Sequence, residues 1–347
     1  MWADIITGAV IGLACGVLPG AHPNSVALFT SKPHLLVAAS GSFIPAGFLS
    51  FTKFSGNSDS FRLSLAGALL ASVAFLLVLS AIPPLREINS VISGRAALFL
   101  AMIALSNIVF DRAIPSAFLF LLSGGLGLAV LNLPIPQNDK LFPLLTGLFC
   151  LPNIIAPDSS EEYLPAKPVK AFSFLKCILI GLAAGSLVGI LPATTPTVAS
   201  FFITLPFSLN SSESAIVSGA AVSSALLFSL AVLGELGKAR NGALVGIDLP
   251  LQLMLGIALV SLSLGAAISV FLRERLSGFS FSEGRLRALA TVIVLLNLFA
   301  FTGWRGILIA VTACSLGMMP KLLQTKRTHL MGVLILPTLV HFAGYLL

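Results

Sequence analysis

The sequence predicts an all-α polytopic membrane protein, and three observations carry that expectation. Apolar residues make up 57% of the 347, charged residues only 10%, and the mean hydropathy is +1.03. A soluble domain carries about 25% charged residues. Apolar runs near the spanning length of about 20 residues recur from one end of the chain to the other. One glycine–proline pattern is written twice: Gly8, Gly12, Gly16, Pro19 and Pro23 recur as Gly181, Gly185, Gly189, Pro192 and Pro196, at the same spacing. The offset, 181 − 8 = 173, is half of the 347 residues, and it also sets Leu18 on Leu191 and Phe29 on Phe202. A repeat with that offset divides the chain into two similar halves.

The elements follow in order. A glycine-striped helix is expected at 5–18, with a short apolar piece at 24–30 after it. Spans follow at 35–51, 63–83, 95–111 and 114–133. Residues 141–155 are short and contain Pro152, so whether they cross fully is open. Residues 156–171 carry Asp158, Glu161, Glu162, Lys167 and Lys170 with Pro165 and Pro168, which reads as an extended linker. The second striped helix is expected at 172–191, its short piece at 197–207, and a span at 214–233. Residues 242–272 exceed one crossing and divide at Asp248 and Pro250. Spans at 286–301, 304–319 and 329–347 complete the chain. The expected organisation is an N-terminal half, 1–155, a linker, 156–171, and a C-terminal half, 172–347. Together they hold about 10–12 membrane-embedded helices, each half with a Pro/Gly-broken or re-entrant helix pair.

Charge sets the orientation. Basic residues cluster at Lys167, Lys170 and Lys176, at Arg273, Arg275, Arg285 and Arg287, and at Lys321, Lys326 and Arg327. Short basic loops face the cytoplasm, which puts the C-terminus outside a multi-pass plasma-membrane protein. An odd number of elements between the two breaks inverts the second repeat relative to the first. The net charge of +7 belongs to these loops rather than to a nucleic-acid surface. Trp2, Ala3 and Asp4 precede the first apolar run without Lys or Arg, unlike the basic start of a cleavable signal.

The repeated breaks carry the chemistry. One reads Leu18-Pro19-Gly20-Ala21-His22-Pro23-Asn24-Ser25 and the other Leu191-Pro192-Ala193-Thr194-Thr195-Pro196-Thr197-Val198. The first proline stops the incoming helix, because it lacks an N–H and clashes with the preceding turn. The second fits the first position of a new helix. Thr195 is then an N-cap, and His22 holds the matching place. A fresh helix start at membrane depth offers free N–H groups and partial positive charge to an anion. The candidate substrate-binding residues are Pro19, Gly20, His22, Asn24 and Ser25 in one copy, and Pro192, Thr194, Thr195, Thr197 and Ser200 in the other. The Gly-x3-Gly-x3-Gly stripes read as close packing between helices.

Ionisable residues inside apolar runs are costly and point to function. His22 and Asp248 are the candidates for a coupling-ion site, with H⁺ or Na⁺ as the ion; capping a helix at the interface is the other reading of Asp248. Glu235, Lys238 and Arg240 form a loop that gates the site or simply connects two spans. Arg95, Asp111 and Arg112 lie at span ends, Arg305 is an interfacial anchor, and His329 and His341 read as structural. Cys15, Cys150, Cys177 and Cys314 have no metal-ligand spacing and read as packing residues. There is no His-Glu-x-x-His, Gly-x-Ser-x-Gly or P-loop, so neither an enzyme nor a cofactor is expected.

At the breaks the chain resembles a known family. Leu18-Pro19-Gly20-Ala21-His22-Pro23-Asn24-Ser25-Val26 is similar to the first motif of the archaeal branch of the tripartite tricarboxylate transporter permeases, the TctA type. Leu191-Pro192-Ala193-Thr194-Thr195-Pro196-Thr197-Val198-Ala199-Ser200-Phe201 is similar to the second, with Ala193, Thr194 and Thr195 where the family is richer in glycine. Glu213 through Gly242 also looks like the region after that motif. The resemblance implies an ion-coupled secondary transporter of a small carboxylate. Bacterial members work with a periplasmic binding protein and a small membrane subunit, neither of which this sequence demands. The nearest basic residue to a break along the chain is Lys32, which offers little to a tricarboxylate. Similar paired breaks mark polyprenyl-phosphate transporters, which leaves a lipid phosphate as the alternative substrate and a non-transporting scaffold as a third reading. The expected partners are therefore the lipid bilayer, a small anion or lipid phosphate, and a second copy of the chain.

Overall fold

A computed structural model describes residues 1–17, 22–27, 30–55, 58–79, 95–156, 168–276 and 283–343. Among the described residues every regular element is helical. Six helices among the described residues are long and apolar enough to cross a membrane: Asp59–Leu79, Ala113–Leu131, Ala171–Ile190, Ser211–Leu236, Leu251–Arg275 and Arg287–Leu323. Trp2–Val17 and Ala96–Val109 are shorter apolar helices. Large apolar side chains stand out from them, among them Leu77, Ile114, Phe172 and Trp304. That is the pattern of a protein whose solvent is lipid. The chain is thus an all-α polytopic membrane protein.

Contacts divide it into two compact units, residues 1–94 with 162–279 and residues 95–161 with 280–347. Each unit takes one stretch from either side of the linker. Each unit therefore draws on both sequence halves, 1–155 and 172–347. Most of the linker, 157–167, lies outside the described residues.

The first unit begins with α1, Trp2–Val17, α2, Pro23–Val26, α3, Pro33–Ser55, and α4, Ser58–Leu79. Gly8, Gly12 and Gly16 let α1 lie directly on α3. A Cβ at Gly8 would strike the Leu35 backbone, at Gly12 the Ala39 carbonyl and Ser42 hydroxyl, and at Gly16 Ala46. The contacts climb both helices together, so α1 and α3 run parallel. Ser42 Oγ donates across the stripe to the Ala9 carbonyl at 2.9 Å.

The arrangement recurs after α4 in chain order beyond the second unit's first stretch. Because those intervening helices are α5, Ala96–Val109, α6, Ala113–Leu131, α7, Gln137–Leu145, and α8, Leu151–Ile155, the recurrence starts at α9, Ala171–Ile190. It continues with α10, Pro196–Thr204, α11, Ser211–Leu236, and α12, Leu251–Leu276. Gly181, Gly185 and Gly189 of α9 face Ala220, Ser224 and Phe228 of α11. Ser224 Oγ donates to the Gly181 carbonyl at 3.1 Å. The stripes repeat at an offset of 173, whereas Ser42 and Ser224 are 224 − 42 = 182 apart. The second copy therefore holds 182 − 173 = 9 extra residues between stripe and partner helix.

Each partner helix also packs on a helix of the other copy. Gly41 of α3 meets Ala258 and Ser261 of α12, and Gly265 of α12 meets Ser42 and Pro45 of α3, so this pair is parallel. Between α4 and α11, Gly67 meets Ile216 and Gly219 meets Ser64. Further along both, the Phe75 and Phe228 rings meet edge to face at 4.8 Å, so this pair is parallel too. Arg273, near the end of α12, lies over the Phe61 ring at the start of α4, 5.0 Å from its centroid. Hence α12 and α4 run in opposite directions, and so do α3 and α11. One buried cluster, including Phe75, Ile216, Leu227, Leu230 and Ala258, joins both copies.

In the second unit α7 passes through a π-helical turn, Thr146–Cys150, into α8. A wide turn tolerates Pro152, which lacks a backbone donor. α13, Glu283–Leu323, is divided at Gly303, where φ 59° and ψ −157° define a region open essentially to glycine alone. That break falls between the expected spans 286–301 and 304–319. A 3₁₀ turn, Arg327–Met331, leads into α14, Gly332–Ala343. Close contacts again involve glycine: Gly127 meets Val333, Gly332 meets Phe120, Gly147 meets Ala310 and Gly317 meets Leu148.

Candidate functional site

The second break is described throughout. α9 ends at Ile190, and Leu191 is extended at φ −90°, ψ 130°. Ala193 takes φ 56°, a left-handed conformation that costs an L residue about 1–2 kcal/mol. Thr194 Oγ1 donates to the Pro192 carbonyl at 3.2 Å. Thr195 is the N-cap of α10: its Oγ1 accepts from the Val198 N–H at 3.4 Å, with Pro196 at the first helical position. Pro192, Thr194 and Thr195 are half-buried and Thr197 is exposed. The Ser200 hydroxyl is buried and has no hydrogen-bond partner among the described residues.

At the first break Leu18–Ala21, with the site candidates Pro19 and Gly20, lie outside the described residues, as does the Ser25 side chain. His22 is exposed, and its Nδ1 accepts from the Asn24 N–H at 3.1 Å. The imidazole thus does for Pro23–Val26 what Thr195 does for α10. Accepting requires an unprotonated Nδ1, so capping and a positive charge on His22 exclude one another. The ring meets the Phe43 ring edge to face at 4.8 Å.

The connection between α11 and α12 touches both breaks. Gly237, at φ 65°, ends α11 in the left-handed turn that glycine favours. Arg240 then reaches back to the end of α9. Its Nε donates to the Gly189 carbonyl at 2.9 Å and its Nη2 to the Ile190 carbonyl at 2.7 Å. Three residues on, the buried Ala243 N–H is shared between Asn241 Oδ1, at 2.8 Å, and Asn24 Oδ1, at 2.9 Å. One loop therefore holds the second break through a guanidinium and the first through the Asn24 amide. Spacing along the chain gave no sign of this, because only the fold brings Arg240 to Gly189. Lys32, the nearest base in sequence, instead pairs with Asp4 Oδ1 at 3.0 Å in an exposed ion pair.

Asp248 lies on the same connection, exposed, beside a cavity of about 410 Å³. Leu233, Ile247, Leu249 and Met254 give the cavity its apolar wall. Among the described residues no three His, Cys, Asp or Glu side chains gather as a metal would need.

A second polar cluster occupies the other unit. His329 is buried, and its Nε2 lies 2.7 Å from Asp111 Oδ2. The same oxygen accepts from the Lys326 N–H at 3.0 Å and from Ser116 Oγ at 3.3 Å. The Asp111 carboxylate therefore fastens the start of α6 to the turn before α14.

No family model and no solved structure matches the chain. It is similar to the uncharacterized protein MJ1079 of Methanocaldococcus jannaschii, with 21% identity over 388 aligned positions covering 97% of this chain and 98% of that protein. The relative's printed name assigns it no activity.

Proposed function

We propose that the protein is a secondary active transporter of a small organic anion of the carboxylate type, driven by H⁺ or Na⁺. The observation that carries this reading is the pair of capped helix starts, His22–Pro23 and Thr195–Pro196, tied to one loop by Asn24 and Arg240. Broken helices at membrane depth line a cavity or are buried in protein, because lipid satisfies no backbone group. The resemblance of both motifs to tripartite tricarboxylate permeases supports the same reading. So does the opposed direction of α3 and α11, which we read as an inverted repeat of the kind that supports alternating access. His22 offers a coupling step, since protonation would remove its cap and loosen the first break. Asp248 is the second coupling candidate, now as a carboxylate beside a cavity.

Among the described residues one guanidinium, rather than a cluster of bases, reaches a break, which favours a second reading: a lipid carrier with a single phosphate head. Purified protein in proteoliposomes separates the two. Uptake of labelled mono-, di- or tricarboxylates supports the first, and translocation of polyprenyl phosphate without carboxylate uptake supports the second. Failure of both leaves the scaffold reading.

A further inference from the structure

We infer that Arg240 supplies the positive charge of the anion site and grips one oxyanion group, a carboxylate or a phosphate, through the free edge of its guanidinium. The inference rests on the transport reading above and narrows it to ligands recognised through a single acidic group. A guanidinium has five N–H donors in a fixed plane. Two are engaged, Nε–H and one Nη2–H, both on carbonyls at the end of α9. These lie along one edge, and they fix the plane and direction of the group. The adjoining edge, Nη1 with the second Nη2 hydrogen, has no partner among the described residues. That edge presents two parallel donors, the geometry that takes a carboxylate or phosphate bidentately.

Charge supports the same assignment. Arg240 is half-buried, and no carboxylate touches it among the described residues. A partly desolvated cation held only by carbonyl dipoles gains most from an anion that arrives and leaves. Capping the end of α9 explains the two bonds that exist. It does not account for placing the charge where the chain breaks, with Thr194 and Thr195 a few residues further along the same turn. The orphaned Ser200 hydroxyl belongs to the helix that this break opens. With one guanidinium edge, a second or third carboxylate on the ligand gains no equivalent partner.

Phenylglyoxal modification of the purified full-length protein, followed at Arg240 by peptide mass spectrometry, tests this directly. Propionate, succinate, citrate, inorganic phosphate and a polyprenyl phosphate in mixed micelles are the probes, and exposed Arg112 is the internal control. Whichever anion the protein transports should slow modification of Arg240 by about tenfold or more at saturation, as a bidentate contact covers the reactive edge, and leave Arg112 unchanged. Arg240→Gln should weaken binding of that anion by about 10- to 100-fold and Arg240→Lys by less, since a charge-assisted bond is worth about 1.5–3 kcal/mol. An unchanged rate at Arg240, with an anion that proteoliposomes do take up, overturns the inference and leaves the transport reading standing. If no anion is taken up, the transport reading falls first. Should Arg240→Gln fail to fold, Arg240→Lys decides: wild-type affinity there overturns the inference, and a loss supports it.

Discussion

At the first break a histidine ring caps a single helical turn, and the neighbouring asparagine reaches to Ala243. At the second a threonine caps a nine-residue helix, and an arginine holds the carbonyls of the helix before it. The helices that present these breaks are packed alike. In both copies three glycines admit a partner helix, and a serine on that partner donates back across the stripe. The contrast separates two kinds of constraint. Repetition of the scaffold follows from close packing, which leaves no room for a side chain. Divergence at the breaks puts an imidazole that caps only while its Nδ1 is unprotonated on one side and a permanent cation on the other. A transporter that must tell its coupling ion from its substrate has use for that asymmetry.

The largest effect should come from the shared part. Gly12→Val and Gly185→Val each force a branched side chain into a partner backbone. We expect each to cost about 3 kcal/mol or more, enough to lose monodisperse protein in detergent. Size-exclusion profiles and thermal unfolding check this; a clear penalty at one stripe only would break the equivalence of the copies.

Next comes acid sensitivity, which must be separated from His22 before any pH effect is assigned to transport. His329 and Asp111 lie in connections between spans. Burial holds the His329 pKa below its ordinary value, with Asp111 opposing. Burial also acts to raise the Asp111 carboxyl, but the bonds from Lys326 N–H and His329 outweigh it and leave it low. In both cases the unfolded chain binds more protons than the folded one. Stability is then complete above about pH 6.5, declines as pH falls through the window beneath the histidine's ordinary pKa, and declines again below about pH 4. Asp111→Asn should cost about 1.5–3 kcal/mol at neutral pH, the worth of hydrogen bonds to a charged group. Unfolding midpoints across pH 4–8 test both; a wild-type midpoint flat from pH 7 to 5 would contradict the assignment.

Caps should matter less to stability and more to transport. Thr195→Ala should cost about 1 kcal/mol, a usual N-cap value, and His22→Ala no more than that. Asparagine caps well, so His22→Asn should keep the melting temperature while removing the titrating group. Uptake by His22→Asn that keeps the wild-type pH profile would take His22 out of the coupling step. The smallest effect belongs to Ala193. Ala193→Gly relieves its left-handed backbone by about 1 kcal/mol, less what glycine adds to the unfolded chain's freedom. Ala193→Val should destabilise, because a branched residue fits that region worst.

Much of this was legible in the sequence because it is local. Apolar length located the spans, and glycine spacing identified the packing stripes. Proline position located the helix start at Thr195, and the repeat carried the same reading to His22. Gly303 divides α13 where the apolar runs were parted. What stayed hidden is non-local. The repeat was visible at the stripes and not at Ser42 and Ser224, because nine inserted residues shift the register between them. Arg240 read as part of a connecting loop, since nothing near it in sequence marks Gly189 and Ile190 as its partners. Lys32 stood nearest the break along the chain yet faces Asp4. The left-handed Ala193 gave no signal, as glycine is the residue that announces such a turn.

The central claim is that the two breaks together bind the transported anion. Uptake of labelled carboxylates into proteoliposomes, compared between wild type and the His22→Ala/Thr195→Ala double variant, tests it most directly. The account predicts saturable uptake by wild type and a fall of about tenfold or more in the double variant, which loses only the roughly 2 kcal/mol of two caps and remains folded. Wild-type uptake by a folded double variant would contradict it.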